Sequence, residues 1–153
     1  MSWLTDSEIE NAIRQFANKD TATAFHGIYP NDYLPYYNLN PPTFIIVNTD
    51  VHNLAGQHWK VIFIDENYCG EVFDSLATPL SNRVIRFMNR HTRKWKTNSQ
   101  MFQHPTSTLC GAYVLYFVMR RLSFSSLQEF CKTFSSNVNR NEYMIQRFYD
   151  TLQ

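Results

Sequence analysis

One cysteine and its neighbours carry the clearest chemistry in this sequence. Cys110 ends a polar, proline-containing segment over residues 103–109 and comes before an apolar run over residues 112–119, which closes on Arg120. The run is too short to cross a bilayer, and it predicts a buried helix with basic residues in its last turn. Cys110 would then lie at the positive end of the helix dipole, where the thiolate, the nucleophilic form of cysteine, is stabilised. Gly111 has no side chain, so a substrate could approach the backbone closely.

A catalytic cysteine needs three kinds of partner, and the sequence offers one candidate for each. A base, usually histidine, must lie within hydrogen-bond reach, a third group must orient that histidine, and donors must face the oxyanion. His58 begins one predicted strand and Asp74 ends the next, so an antiparallel pairing would place both at the same end of the pair. Gln103 lies seven residues before Cys110. Its amide could join the Cys110 backbone N–H in an oxyanion hole.

Each of these residues also has a plainer interpretation. Free cysteine is among the most buried residue types, so Cys110 alone is more simply an inert core thiol. His58 could be an exposed histidine at a strand end, Asp74 a turn or capping residue, and Gln103 any polar loop residue. Their order along the chain and their local contexts together favour the catalytic interpretation of the set.

The elements that must position these residues follow from the pattern of apolar side chains. A helix is predicted over residues 6–18, and an irregular segment rich in Tyr, Asn and Pro follows over residues 19–42. A loop of that length is usually functional or a docking surface. Apolar runs bounded by turn residues predict strands over residues 44–49, 58–65, 71–74 and 99–103. Later helices are predicted to begin at Pro79, Cys110, Ser125 and Asn139.

This order of elements is typical of an α+β fold, with a small, largely antiparallel central sheet and helices before and after it. With 153 residues and no interdomain linker, the chain is most simply one domain over residues 1–153. The basic segment over residues 91–98 could touch phosphate or an acidic partner. A solvated loop or edge strand is the commoner explanation for such a segment.

Composition argues against several classes of protein. The net charge is +1, so nothing draws the whole chain to nucleic acid or to an anionic membrane. The three cysteines, Cys69, Cys110 and Cys131, are odd in number and widely spaced, which argues against a disulfide framework or a zinc site and favours a reducing compartment. The sequence has no signal-peptide pattern and no stretch long enough to span a membrane, so secretion and membrane insertion are not expected.

The candidate residues form an ordered set that is similar to one protein family. A His-Trp pair at a strand start, an acid one short hairpin later, and a Gln followed by Cys-Gly at a helix start are found in His58-Trp59, Phe73-Asp74, Gln103 and Cys110-Gly111. The set resembles the adenain (adenovirus endopeptidase) family, whose clan also holds the proteases of SUMO and other ubiquitin-like proteins. Further likeness extends over residues 25–30, 46–49 and 139–152. The resemblance implies a papain-like-superfamily fold with the catalytic cysteine at a helix N-terminus.

The resemblance also implies a role for each residue. Cys110 would be the nucleophile, His58 the general base and acid, Asp74 the group that orients His58, and Gln103 the oxyanion donor. This chain departs from adenain itself in carrying Asp74 where adenain has Glu, although Asp is the common choice across the clan.

Three further residues are expected near the substrate. Gly56 and Trp59 flank or follow the histidine as in the family, and Gly111 follows the cysteine. Trp59 would help to wall a narrow cleft that favours glycine. A core aromatic is an equally good interpretation of Trp59.

The implied function is that of an endopeptidase of a double-stranded DNA virus, or of a virus-like mobile element. It would cut structural-protein precursors at Gly-containing sites during virion maturation, as a monomer, in the virion and in the host nucleus or cytoplasm. No cofactor or metal is required. Adenain is stimulated by DNA and by a viral peptide, partly through a disulfide. Here residues 83–96 are the plausible DNA contact, and Cys69 and Cys131 are weak candidates for the disulfide.

Two other interpretations stay open. One is an isopeptidase that acts on ubiquitin or on a SUMO-like protein. The other is a non-enzymatic protein-binding module, which would use the aromatic loop over residues 28–37 and the basic stretch over residues 90–96.

Overall fold

A computed structural model describes residues 3–49 and 58–153 of the chain, and these residues adopt an α+β fold. The loop predicted between the first two strands, over residues 50–56, lies outside the described residues, and Gly56 with it. The strands are β1 (Phe25–Pro30), β2 (Thr43–Asn48), β3 (Trp59–Ile64), β4 (Cys69–Phe73) and β5 (Lys94–Thr97). The helices are α1 (Asp6–Phe16), α2 (Lys19–Ala24), α3 (Asn82–His91), α4 (Cys110–Arg120), α5 (Leu127–Cys131) and α6 (Val138–Asp150), and a 3-10 turn spans Arg121–Ser123.

The five strands form one sheet in chain order, β1-β2-β3-β4-β5. The inner pairs, β2 with β3 and β3 with β4, are antiparallel, as expected. The outer pairs, β1 with β2 and β4 with β5, are parallel. The sheet is therefore mixed rather than largely antiparallel, because each edge strand is joined to its neighbour by the long crossover that a parallel pair requires.

Both faces of the sheet are covered, so β2 and β3 are apolar along almost their whole length. Side chains alternate between the faces: Phe44 and Ile46 pack in the main core with α1, α4 and α6, whereas Ile45 and Val47 pack in a smaller core with α3. Helix α4 lies in the main core and is apolar on nearly all sides. The packing of α4 against the sheet therefore fixes the candidate cysteine relative to the candidate histidine.

Most helices begin with a side-chain cap, and α4 does not. Thr5 and Glu8 form a capping box at the start of α1. Asn18, Ser81, Ser126 and Asn137 accept N–H hydrogen bonds at the starts of α2, α3, α5 and α6. At α4 the residue before the helix is Leu109, which makes no side-chain cap hydrogen bond. An N-terminus without a capping side chain keeps first-turn N–H groups available to another acceptor.

Two predicted elements were wrong. The segment over residues 19–42, predicted to be irregular, contains α2 and β1. No strand forms over residues 99–103, where the N–H groups of Phe102 and Gln103 donate to the Ser75 carbonyl instead of to a neighbouring strand.

Smaller differences concern helix boundaries and one contact. Helix α3 begins after its cap Ser81 rather than at Pro79, and α6 begins after its cap Asn137 rather than at Asn139. Tyr143, which the apolar spacing of the last helix predicts to supply a core contact, is instead 65% exposed. The basic segment forms the edge strand β5, which was the plainer of its two interpretations. No helix in the described ranges has the length and apolar character needed to cross a bilayer.

Candidate active site

Cys110 is the first residue of α4 and is fully buried. Its Sγ lies 3.1 Å from His58 Nδ1. The Trp59 backbone N–H donates to the same sulfur at 3.4 Å. The sulfur thus faces an imidazole nitrogen and a backbone donor at a helix N-terminus, the arrangement of a nucleophile and its base.

His58 joins the sulfur to a carboxylate. Its Nε2 lies 2.6 Å from Asp74 Oδ1, and its side chain is 15% exposed. The two residues meet because β3 and β4 are antiparallel neighbours, with Val61 opposite Phe73, so that the start of one strand lies beside the end of the other. With Nε2–H donating to Asp74, Nδ1 faces the sulfur.

Electrostatics favour a charged imidazole in this site. Burial alone would lower the pKa of His58, but its hydrogen bonds to Asp74 and Cys110 outweigh burial and raise that pKa to about 10. Burial alone would raise the pKa of Asp74. The hydrogen bond and charge of His58, with donors from Thr78 and Leu76, instead hold the Asp74 pKa well below its usual range. At neutral pH the pair is an imidazolium beside a carboxylate.

Both oxygens of the Asp74 carboxylate accept hydrogen bonds besides the contact with His58. The Leu76 N–H donates to Oδ1 at 2.9 Å, and the Thr78 N–H and hydroxyl donate to Oδ2 at 2.8 and 2.6 Å. Lys60 Nζ lies 3.4 Å from Oδ2. The Asn98 side chain clamps the Asp74 main chain, accepting from its N–H at 2.9 Å and donating to its carbonyl at 2.7 Å. The orientation of Asp74 toward His58 is therefore fixed by both its side chain and its backbone.

Gln103 is 1% exposed, and its amide is anchored at both ends. The Ser75 hydroxyl donates to its Oε1 at 2.6 Å, and its Nε2 donates to the Ser107 carbonyl at 3.1 Å. The second contact fixes which end of the amide is the donor, because a carbonyl can only accept, and it directs that donor to the segment just before Cys110. Because an amide nitrogen carries two hydrogens, one N–H is left for a second acceptor.

Two of the residues expected near the substrate have other roles in the structure. The Trp59 side chain is 1% exposed in the main core, and its Nε1–H donates to Asp6 at 3.3 Å, so the core interpretation describes it better than a cleft wall. A Cβ added at Gly111 would lie 2.9 Å from Leu4, so packing against Leu4 explains this glycine without a substrate. The third residue, Gly56, lies outside the described part of the chain.

The sequence analysis missed two polar residues that support Asp74. Lys60 is the only charged residue among the apolar side chains of β3. Because a buried charge in such a run must have a partner, the sequence could have predicted that Lys60 is paired. Asn98 follows an edge strand in a polar segment and gave no signal. Among the described residues no group of three or more His, Cys, Asp and Glu is placed to hold a metal ion, and the three cysteines are free.

The chain is similar in sequence and fold to viral proteases. No family model matches the chain. The chain is 28% identical over 115 residues to a cysteine protease of African swine fever virus, covering 67% of this chain and 42% of that protein. It is 30% identical over 100 residues to a SUMO-1 cysteine protease of the same virus, covering 58% and 37% of the two chains. It is 26% identical over 146 residues to a putative thiol protease of Acanthamoeba polyphaga mimivirus, covering 79% and 48%.

The fold comparison agrees with these sequence relatives. The crystal structure of the African swine fever virus protease matches with a TM-score of 0.67 at 22% identity, over 94% of this chain and 66% of that one. The chain spans less than half the length of the curated relatives above. The relatives are named cysteine or thiol proteases, in agreement with the resemblance seen in the sequence, and the fold is shared with one of them.

Proposed function

We propose that this chain is a cysteine endopeptidase that uses Cys110 as nucleophile, His58 as general base and acid, Asp74 as the group that orients His58, and Gln103 as an oxyanion donor. One observation carries the proposal: a continuous line of contacts runs from the sulfur to the imidazole at 3.1 Å and from the imidazole to the carboxylate at 2.6 Å. This is the arrangement that an activated thiol nucleophile requires.

The proposed reaction has two stages. In the first, the Cys110 thiolate attacks the scissile carbonyl carbon, the amine leaves with a proton from His58 Nδ1, and a thioester forms. In the second, His58 takes a proton from water, the hydroxide attacks the thioester carbonyl, and the Cys110 thiolate leaves with His58 again protonated. Asp74 stabilises the imidazolium throughout and keeps Nε2 as the donor to Oδ1.

Each tetrahedral intermediate places negative charge on the former carbonyl oxygen. We assign its stabilisation to the Cys110 N–H, at the start of α4, and to the second N–H of Gln103 Nε2. The anchoring of Gln103 by Ser75 and Ser107 supports this assignment because the donor is held in place before the substrate arrives.

For the substrate we propose viral structural-protein precursors, cut at Gly-containing sites during virion maturation in the virion or the host cell. The viral origin of the relatives supports this choice. We further propose that the chain acts as a monomer without a required cofactor.

The nucleophile is tested with a matched pair of cysteine variants. Cys110→Ala should reduce cleavage of a Gly-containing peptide to background, whereas Cys131→Ala should retain wild-type cleavage. Burial raises the pKa of the Cys131 thiol to about 12, so this cysteine controls for general thiol chemistry. Cleavage by folded Cys110→Ala protein would refute the assignment.

The base is tested by the reactivity of the same thiol. Iodoacetamide labelling followed by mass spectrometry should modify Cys110 between about pH 6 and about pH 7 faster than a free cysteine, and His58→Ala should abolish the excess rate. A Cys110 that reacts no faster than free cysteine would favour the non-enzymatic binding module.

The oxyanion donor is tested separately. Gln103→Ala should lower kcat by about 10²–10³, the loss expected for one donor, with little change in labelling of Cys110. A fall in kcat of less than about threefold would show that Gln103 is not an oxyanion donor.

A second candidate function is a SUMO- or ubiquitin-type isopeptidase, which the name of one relative, SUMO-1 cysteine protease, favours. Probes that end in Gly-Gly with a thiol trap distinguish the two functions. Selective labelling of Cys110 by a SUMO or ubiquitin probe, with no turnover of Gly-containing precursor peptides, would replace the endopeptidase proposal with this one.

A further inference from the structure

A buried lysine lies beneath the candidate catalytic carboxylate. Lys60, the second residue of β3, is 2% exposed, and the alternation of the strand directs it to the α3 side of the sheet. Its ammonium lies 3.4 Å from Asp74 Oδ2. A lysine is almost never fully buried unless it is paired, so the structure must satisfy this charge with specific partners.

The remaining donors of the ammonium hold the loop that surrounds Asp74. Lys60 Nζ donates to the carbonyls of Thr78 at 3.2 Å and Pro79 at 3.1 Å. The same loop, over residues 74–79, supplies the Leu76 and Thr78 donors that fix the carboxylate. Lys60 is thus tied both to Asp74 and to the backbone that orients it.

The Asp74 end of this loop is held by Asn98 and, at Ser75, by residues 102 and 103, whereas its other end reaches the surface. Thr78 and Pro79 are exposed, and Ala77 adopts a left-handed conformation at φ 49°, which is unfavourable for a residue with a side chain. Within the loop a main-chain hydrogen bond joins the Ala77 N–H to the Asp74 carbonyl at 3.0 Å. An exposed, strained turn persists where its surroundings over-determine it, and the buried ammonium supplies two of those constraints from the sheet.

We propose that Lys60 is a positioning residue of the active site: it holds the 74–79 loop, and through that loop the Asp74 carboxylate, in the orientation that meets His58. This inference rests on the proposed cysteine protease function. Lys60 is buried on the α3 side of the sheet, so it acts through Asp74 rather than on the substrate.

The alternative is a purely structural lysine that only neutralises a buried acid. Among the described residues, Asp74 faces His58 from the end of β4 and Cys110 faces it from the start of α4, while Lys60 faces Asp74 from β3. If Lys60 acted by its charge alone, its removal would favour the protonated imidazole and raise the pKa of His58. If Lys60 positions Asp74, its removal loosens the contact between carboxylate and imidazole and lowers that pKa. The two roles therefore predict opposite signs.

The test is an NMR titration of the His58 ring in ¹³C-histidine-labelled protein, which does not depend on peptide cleavage. We expect the pKa of His58, about 10 in the wild-type protein, to fall in Lys60→Met and to fall further in Asp74→Asn. An unchanged or raised His58 pKa in Lys60→Met would overturn the proposal. The control is Ile62→Ala, which removes a fully buried side chain from the same strand and the same face and should leave the titration unchanged.

Kinetics supply the second readout. Lys60→Met should lower kcat by up to about 10²-fold with KM nearly unchanged, because misplacement of an orienting group costs rate rather than binding. A loss confined to KM would contradict the proposal. Should Lys60→Met fail to fold, Lys60→Leu, which also removes both the charge and the donors, is measured in the same way with the same expected signs. If the wild-type protein cleaves no peptide, the titration still decides the role of Lys60 in the His58–Asp74 pair, and only the proposed function fails.

Discussion

Strand β4 carries two buried acids three residues apart, Glu71 inside the strand and Asp74 directly after it. Glu71 is bound by Arg121 through two parallel contacts, at 2.7 and 2.6 Å, and accepts from the Leu127 N–H at 3.1 Å. Asp74 is bound by His58 at 2.6 Å. Both carboxylates are buried, paired and hydrogen-bonded, so burial and pairing alone do not identify a catalytic acid.

The difference lies in what each partner can do. Arginine keeps its proton in a protein and so cannot act as an acid or base; the Glu71–Arg121 pair serves to join β4 to the segment before α5. Histidine gains and loses its proton reversibly, and here its second nitrogen contacts the sulfur of Cys110. A buried carboxylate can take part in the reaction when its partner gains and loses a proton and also contacts a nucleophile.

The largest expected effect separates the two acids by activity. Asp74→Asn should lower kcat by about 10⁴-fold, because an amide neither stabilises the imidazolium nor selects the correct tautomer. The free energy of unfolding, measured with urea, should fall by less than the activation free energy of the reaction rises. If kcat stayed within about tenfold of the wild-type value, Asp74, like Glu71, would have only a structural role.

The next effect separates them by stability. Glu71→Gln should lower the free energy of unfolding by about 3–5 kcal/mol, since it leaves the Arg121 charge buried and uncompensated, while kcat per folded molecule stays at the wild-type value. Glu129→Gln is the matched control: the exposed Glu129–Lys132 pair has a similar distance, 2.9 Å, and should contribute less than about 1 kcal/mol. A kcat loss in Glu71→Gln comparable to that of Asp74→Asn would erase the distinction.

The same contrast shows what the sequence could predict. The pairing of His58 with Asp74 was predictable because it depends on two adjacent strands and the short turn between them, and the helix start at Cys110 was marked by an abrupt change from polar to apolar residues. The partners of Glu71 were not predictable. Arg121 lies fifty residues away along the chain, and only the packing of the 3-10 turn against the sheet brings it to Glu71.

Non-local pairing also explains the missed strand. Strand β1 pairs in parallel with β2, across a connection of twelve irregular residues, and it is only partly buried, so it lacks the continuous apolar run that identified β2 and β3. In the opposite direction, residues 99–103 have a strand-like composition, but the Ser75 carbonyl captures two of their N–H groups. Tertiary contacts, rather than local propensity, determined the secondary structure of both segments.

The two pairs should also respond differently to pH. The pKa of His58 is raised from 6.5 to about 10, so its contribution to stability is fully present below pH 6.5 and is lost as pH rises toward and through about 10. Across that window the free energy of unfolding should fall by up to about 1.4 kcal/mol per pH unit from this group. The slope should be smaller in Asp74→Asn and unchanged in Glu71→Gln, measured by urea unfolding between about pH 6.5 and about pH 9. Equal slopes in all three proteins would contradict the raised His58 pKa.

The smallest expected effect tests whether the donors around Asp74 serve its orientation. Thr78→Val removes the hydroxyl that donates to Asp74 Oδ2 at 2.6 Å, a hydrogen bond to a charged acceptor, and should cost about 1.5–3 kcal/mol of stability together with a severalfold loss of kcat. Thr97→Val is the matched control, because the hydroxyl of Thr97, also an exposed residue, donates to the neutral Val72 carbonyl at 2.8 Å. It should cost about 0.5–1.5 kcal/mol and leave kcat unchanged. If the two variants lost kcat equally, the loss in Thr78→Val could not be assigned to its contact with the carboxylate, and the orientation of Asp74 would rest on the backbone donors and Lys60.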